Sequence, residues 1–124
     1  MRRAAIYLIL WFGCIRPAAF GAERRLRWRA VWRVSQVILA GADAADAASS
    51  WGKNEANPLV RAGSRFSYGS LAIKLGALGG SLTAQHFILR GNPQYTAVLA
   101  SANLGAAAML GAIAARNMRV SAAP

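Results

Sequence analysis

Residues 91–115 read GNPQYTAVLASANLGAAAMLGAIAA, 25 consecutive positions without an Asp, Glu, Lys, Arg or His. As an α-helix such a run rises roughly 37 Å at about 1.5 Å per residue, enough to cross a hydrocarbon core of about 30 Å. A soluble helix keeps one face wet, and this stretch has no charged face to offer. It predicts a membrane-spanning helix over residues 95–115. Two stripes of small residues run along it, Ala97, Ser101 and Gly105 on one side and Asn103, Ala107, Gly111 and Ala115 on another. Small residues at four-residue spacing let helix backbones approach closely, so two stripes suit contact with two neighbours in a bundle or an oligomer.

Immediately upstream, Arg90-Gly91-Asn92-Pro93 has the composition of a tight turn. The segment before it, residues 66–89, is a second apolar run whose ionisable residues are Lys74 and His86. A short turn between two such segments predicts antiparallel neighbours. Ala72, Gly76, Gly80 and Ala84 repeat every four residues here, with a GxxxG step at Gly76 and Gly80. Lys74 lies about two turns into the segment, within snorkelling reach of the interface. His86 sits near its end, where a single histidine reads as a hydrogen-bonding boundary residue.

The remaining segment, residues 30–50, carries Arg33, Asp43 and Asp46. A centrally placed Arg or Asp costs about 2.5–3.5 kcal/mol on insertion, whereas each Val, Leu or Ile returns about 0.3–0.6 kcal/mol. Val31, Val34, Val37, Ile38 and Leu39 do not offset two such charges, so this helix needs partners for its polar face. Steps of three and four place Arg33, Gln36, Ala40, Asp43, Ala47 and Ser50 on one stripe, which is expected to face the bundle interior.

The whole chain agrees with this membrane reading: 56% of its 124 residues are hydrophobic and 15% charged, with room for one domain. The net charge of +11 comes from 15 Lys and Arg against four acids. In a soluble chain that excess would point to nucleic acid. Here the cations flank the apolar segments, as anchors to anionic headgroups do, so the expected partner is the lipid bilayer and not nucleic acid. Arg24, Arg25, Arg27, Trp28, Arg29, Trp32 and Arg33 form one interfacial belt of this kind. Residues 1–21 combine Arg2 and Arg3, an apolar run from Ala4 to Ile15, Pro17 and a small-residue tail with Ala19 and Gly21. They read as a signal peptide or an uncleaved anchor. Residues 22–124 then form a single helical membrane domain with helices near 30–50, 66–89 and 95–115. The expected fold is all-α, a small transmembrane bundle of three helices. Cys14 is the single cysteine, which excludes an intramolecular disulfide and a multi-cysteine metal site.

One constellation gathers the rare polar residues. Asp43 and Asp46 are three apart on one helical face, Ser49 and Ser50 follow, and Glu55-Ala56-Asn57-Pro58 stands after a short connection. Asn57 followed by Pro58 is a helix start, with the amide as cap and Pro at the first helical position. Three carboxylates with amide oxygens suit a hard cation such as Mg²⁺ or Ca²⁺, or a proton or cation relay. The alternative is purely structural: Asp43 or Asp46 pairs with Lys74 or Arg33, and Glu55 pairs with Lys53, Arg61 or Arg65. No metal site or cofactor is assigned. No nucleophile elbow, phosphate loop or paired cysteine is present, and Ser49 and Ser50 are the best nucleophiles an intramembrane enzyme would have.

The run from Asp43 to Pro58, with Lys74 in the following segment, resembles a family of small bacterial helical membrane proteins with an Asp-x-x-Ser/Thr and Glu-x-Asn-Pro signature. The resemblance covers roughly residues 36–115. It implies a compact helical bundle in the bacterial inner membrane in which Asp46, Ser49, Glu55, Asn57, Pro58 and Lys74 belong together, with Asp43 a local addition, and it lends no activity. The expected role is structural or interactive, with possible homo-oligomers through the small-residue faces. The alternative is a small oligomeric ion or solute transporter using Asp43 and Asp46 with Lys74.

Overall fold

A computed structural model describes residues 22–53, 63 and 65–121. The proposed signal peptide or anchor, and Glu55, Asn57 and Pro58 with the short helix expected after them, lie outside the described residues. Within these residues the chain is all-helical: α1 spans Ala22–Ser50, α2 spans Tyr68–Gly91, a 3₁₀ turn covers Pro93–Tyr95, and α3 spans Thr96–Ser121. Hydropathy alone starts the first helix at residue 30, but the helix already runs from Ala22. Arginine is a good helix former, so the basic stretch from Arg24 to Arg29 continues the helix. The end of α3 likewise passes residue 115 and takes in Arg116 and Arg119.

The closest helix pair is α1 with α3, which are not neighbours in the sequence. Ser35 meets Asn103 and Ser49 meets Asn117, both at an offset of 68 residues, so the two helices run parallel and in register. Carried along both helices, that offset aligns Trp32, Ser35, Leu39, Ala42, Asp46 and Ser49 with Ala100, Asn103, Ala107, Leu110, Ala114 and Asn117. All twelve are buried or partly buried. Alternating steps of three and four are the seam of a left-handed helix pair. Alanines at 100, 107 and 114 supply little side-chain bulk, which is why these backbones come close.

α2 returns antiparallel, as the tight turn predicts, but it stands further off. Its inward residues include the long side chains of Lys74, Gln85 and Leu89, and these bridge the wider gap. The row Ala72, Gly76, Gly80 and Ala84 does not bring helices of this bundle together. Those positions are exposed, and a Cβ added at Gly76 or Gly80 would meet nothing within 4 Å. They lie about 200° around the helix from Lys74 because two residues separate the two rows.

The distribution of side chains is inverted relative to a soluble domain. Ser35, Ser70, Asn103, Thr96, Gln85, Asp43, Asp46 and Lys74 are all buried. Val37 is 73% exposed, Met109 69% and Phe87 63%. Of the seven buried hydrophobic residues among those described, four are alanines, so apolar bulk is not what fills the described interior. Among the described residues one helix, Pro93–Val120, is long and apolar enough to cross a membrane. α1 and α2 do not meet that measure, the first because of its arginines and aspartates.

Candidate functional site: the polar interior

Three polar layers cross the bundle. In the first, near the α2–α3 turn, Gln85 and Asn103 form a reciprocal amide pair. Gln85 Nε2 donates to Asn103 Oδ1 at 2.7 Å, and Asn103 Nδ2 donates to Gln85 Oε1 at 3.0 Å. Trp32 Nε1 also donates to Gln85 Oε1 at 2.9 Å, and Asn103 Nδ2 to Ser35 Oγ at 3.1 Å. Ser35 Oγ then donates to the carbonyl of Trp32 at 2.7 Å. Each polar atom of the two amides has a partner, so all three helices are tied with no buried amide left unpaired.

In the second layer Lys74 from α2 reaches two carboxylates of α1. Its Nζ donates a hydrogen bond to Asp46 Oδ2 and lies 3.4 Å from Asp43 Oδ1. It also stands 6.0 Å from the centre of the Phe66 ring, within the range of a cation–π contact. Asp43 and Asp46 face the same way because they are one helical turn apart. Two carboxylates against one ammonium leave this layer one negative charge in excess. Asp46 Oδ1 and Ser70 Oγ are buried without a hydrogen-bond partner among the described residues. Asp43 also borders a cavity of about 390 Å³ between α1 and α2, walled by Leu71, Leu75 and Trp51. No group of three or more His, Cys, Asp or Glu side chains among the described residues is placed to hold a metal ion.

The third layer closes the far end. Asn117 Nδ2 donates to Ser50 Oγ at 3.0 Å and to Ser49 Oγ at 3.5 Å, and Lys53 Nζ donates to the Asn117 carbonyl at 2.9 Å. Beyond it, Gly52 N donates to Phe66 O at 3.1 Å and Phe66 N to Lys53 O at 2.8 Å. These bonds pin both ends of the α1–α2 connection. Gly52 has φ +72°, the left-handed region that favours glycine. The Trp51 ring meets Tyr68 edge-on at 4.9 Å and Phe66 at 6.0 Å.

Of the residues singled out in the sequence, Asp43, Asp46 and Lys74 therefore meet in one cluster. Ser49 does not join the carboxylates; its hydroxyl donates back to the Asp46 carbonyl and accepts from Asn117. Arg33 points outward and Gln36 is only partly covered, so the buried line of α1 is rotated toward Ser35, Leu39 and Asp46. Periodicity and charge do not single out the amide layer of Trp32, Ser35, Gln85 and Asn103. Its signal is depth: folded up, down and up, the three segments bring Ser35, Gln85 and Asn103 to one level.

No family model, curated protein or solved structure matches the chain.

Proposed function

We propose that the chain is a multi-pass protein of the bacterial inner membrane, a three-helix bundle with a structural or interaction role. The observation that carries this reading is the inverted distribution of side chains, with amides and charges inside and Val37, Phe87 and Met109 outside. In water that surface would expose large apolar side chains on every helix. In lipid the same surface is matched to its solvent, and the interior polar groups pair with one another. α1 and α2 are then inserted as partners of α3, because the polar face of α1 is received by Lys74, Gln85 and Asn103. The bacterial setting rests on the signature shared by Asp46, Ser49, Glu55, Asn57, Pro58 and Lys74.

On this reading Asp46 is a pin between α1 and α2. Removing one partner of a buried ion pair costs about 3–5 kcal/mol, and Asp43 offsets part of that for Lys74. Asp46→Asn should therefore lower the folded fraction of the full chain in detergent. Exchanging the cluster together, as Asp43→Asn, Asp46→Asn and Lys74→Met, should recover much of the loss. Unchanged thermal stability in Asp46→Asn contradicts the structural role.

A second reading, a small oligomeric ion or solute transporter, draws on the excess carboxylate charge and on the cavity that Asp43 borders. Flux through proteoliposomes that survives Asp43→Asn plus Asp46→Asn excludes it.

A further inference from the structure

At the end of the bundle opposite Gly52, α1 and α2 border an open cavity of about 310 Å³. Its rim is rich in basic side chains: Arg29 and Arg33 come from α1, His86 and Arg90 from α2, and Trp32, Gln36 and Leu89 complete the lining. Within each helix the two rim residues are four apart and so share a face. The antiparallel register set by Trp32 with Gln85 and Asp43 with Lys74 brings Arg29 and Arg90, and likewise Arg33 and His86, to within about 3 Å of one level. The four side chains thus stand at the corners of one opening, all of them exposed.

Among the described side chains none neutralises this ring. Neither α2 nor α3 contains an Asp or Glu. On α1 two acids flank the ring along the chain: Glu23, six residues before Arg29 and about 9 Å along the axis, and Asp43, ten residues after Arg33, about 15 Å along the axis and already engaged by Lys74. Three guanidinium groups and an imidazole around this cavity therefore face open space with no counter-charge from the described side chains. Guanidinium forks match the oxygens of a phosphate in geometry as well as in charge.

The geometry points to a binding site for a phosphate-bearing anion at the mouth formed by Arg29, Arg33, His86 and Arg90. Arg90 immediately precedes the span Pro93–Val120, so the mouth lies level with the end of that apolar helix. The shared chemistry is the phosphate group, carried either by an anionic lipid headgroup or by a free phosphate.

The test titrates the full chain, in uncharged detergent, with dioctanoyl phosphatidylglycerol, dioctanoyl phosphatidylcholine and inorganic phosphate. Because His86 is the single histidine of the sequence, its imidazole NMR signals report on the site directly. Saturable shifts with phosphatidylglycerol and not with phosphate assign a lipid headgroup; shifts with inorganic phosphate assign a free anion. Replacing Arg33→Gln and Arg90→Gln together should weaken that binding at least about tenfold, since two charge-assisted contacts are lost. Arg116→Gln with Arg119→Gln, at the opposite end, should leave it unchanged. Unmoved His86 signals in the unaltered chain with all three probes overturn the site. So does equal affinity in the Arg33 and Arg90 double variant.

Discussion

Replacing Asn103 by alanine removes the centre of the amide layer. Asn103 makes three hydrogen bonds there, two with Gln85 and one to Ser35. At about 0.6 kcal/mol for each interhelical bond in a membrane, their loss amounts to about 2 kcal/mol. Gln85 then keeps the indole N–H of Trp32 on its oxygen, while its amide nitrogen retains only Ser81 Oγ at 3.5 Å. A poorly satisfied buried donor adds about 1–3 kcal/mol, discounted where the amide turns to find another acceptor. The expected destabilisation is about 2–4 kcal/mol. It is measured by reversible unfolding of the full chain in mixed micelles with increasing dodecyl sulfate, followed by tryptophan fluorescence. Ser101→Ala, two residues away and exposed, should stay within about 0.5 kcal/mol of the parent. Ser35→Ala combined with Asn103→Ala should show a coupling of about 0.5 kcal/mol or more, as residues of one network do. A loss below about 0.5 kcal/mol for Asn103→Ala would mean that this layer does not hold the three helices together.

Two further outcomes follow from the packing. Gly80→Ala should be neutral or stabilise by up to about 1 kcal/mol in a thermal melt, because the added methyl meets open space and alanine favours the helix; a clear loss of monomer stability would mean that the glycine face is covered within the chain. Parallel register places Leu39 level with Ala107, so Leu39→Cys with Ala107→Cys in a Cys14→Ser background should cross-link on oxidation. Leu39→Cys with Met118→Cys, about three turns out of level, should not, and the reverse result would break the register.

Several parts of this arrangement are open to inspection in the residues alone. α3 stands out because 25 uncharged positions have few other readings, and Gly91-Asn92-Pro93 marks the turn before it. Asp43, Asp46 and Lys74 are conspicuous because charge is rare in this apolar background, and pairing is the natural way to bury them. The α1–α3 register is not legible. Its seam is built from Trp32, Ser35, Asp46 and Ser49 on one side and mostly alanines and asparagines on the other, so apolar periodicity has little to mark it. Chain adjacency also misdirects, since a tight turn argues for α2 against α3 while small side chains draw α1 closer to α3. The glycine row of α2 carries a packing motif but no direction, and only the position of Lys74 and Gln85 on the opposite face shows that it points outward. Hydropathy places the start of α1 too late because it reports where a helix meets apolar surroundings, not where helical hydrogen bonding begins.

In the proposed arrangement the polar side of each helix lies inside and the apolar side meets lipid. Spin labels at Val37→Cys and Met109→Cys, each in a Cys14→Ser background and reconstituted in bilayers, test it directly by their collision rates with oxygen and with a water-soluble nickel chelate. Both positions are largely exposed on the bundle, 73% and 69%. High oxygen and low nickel accessibility are expected at both labels. High nickel accessibility at both, as on a surface in water, would contradict it.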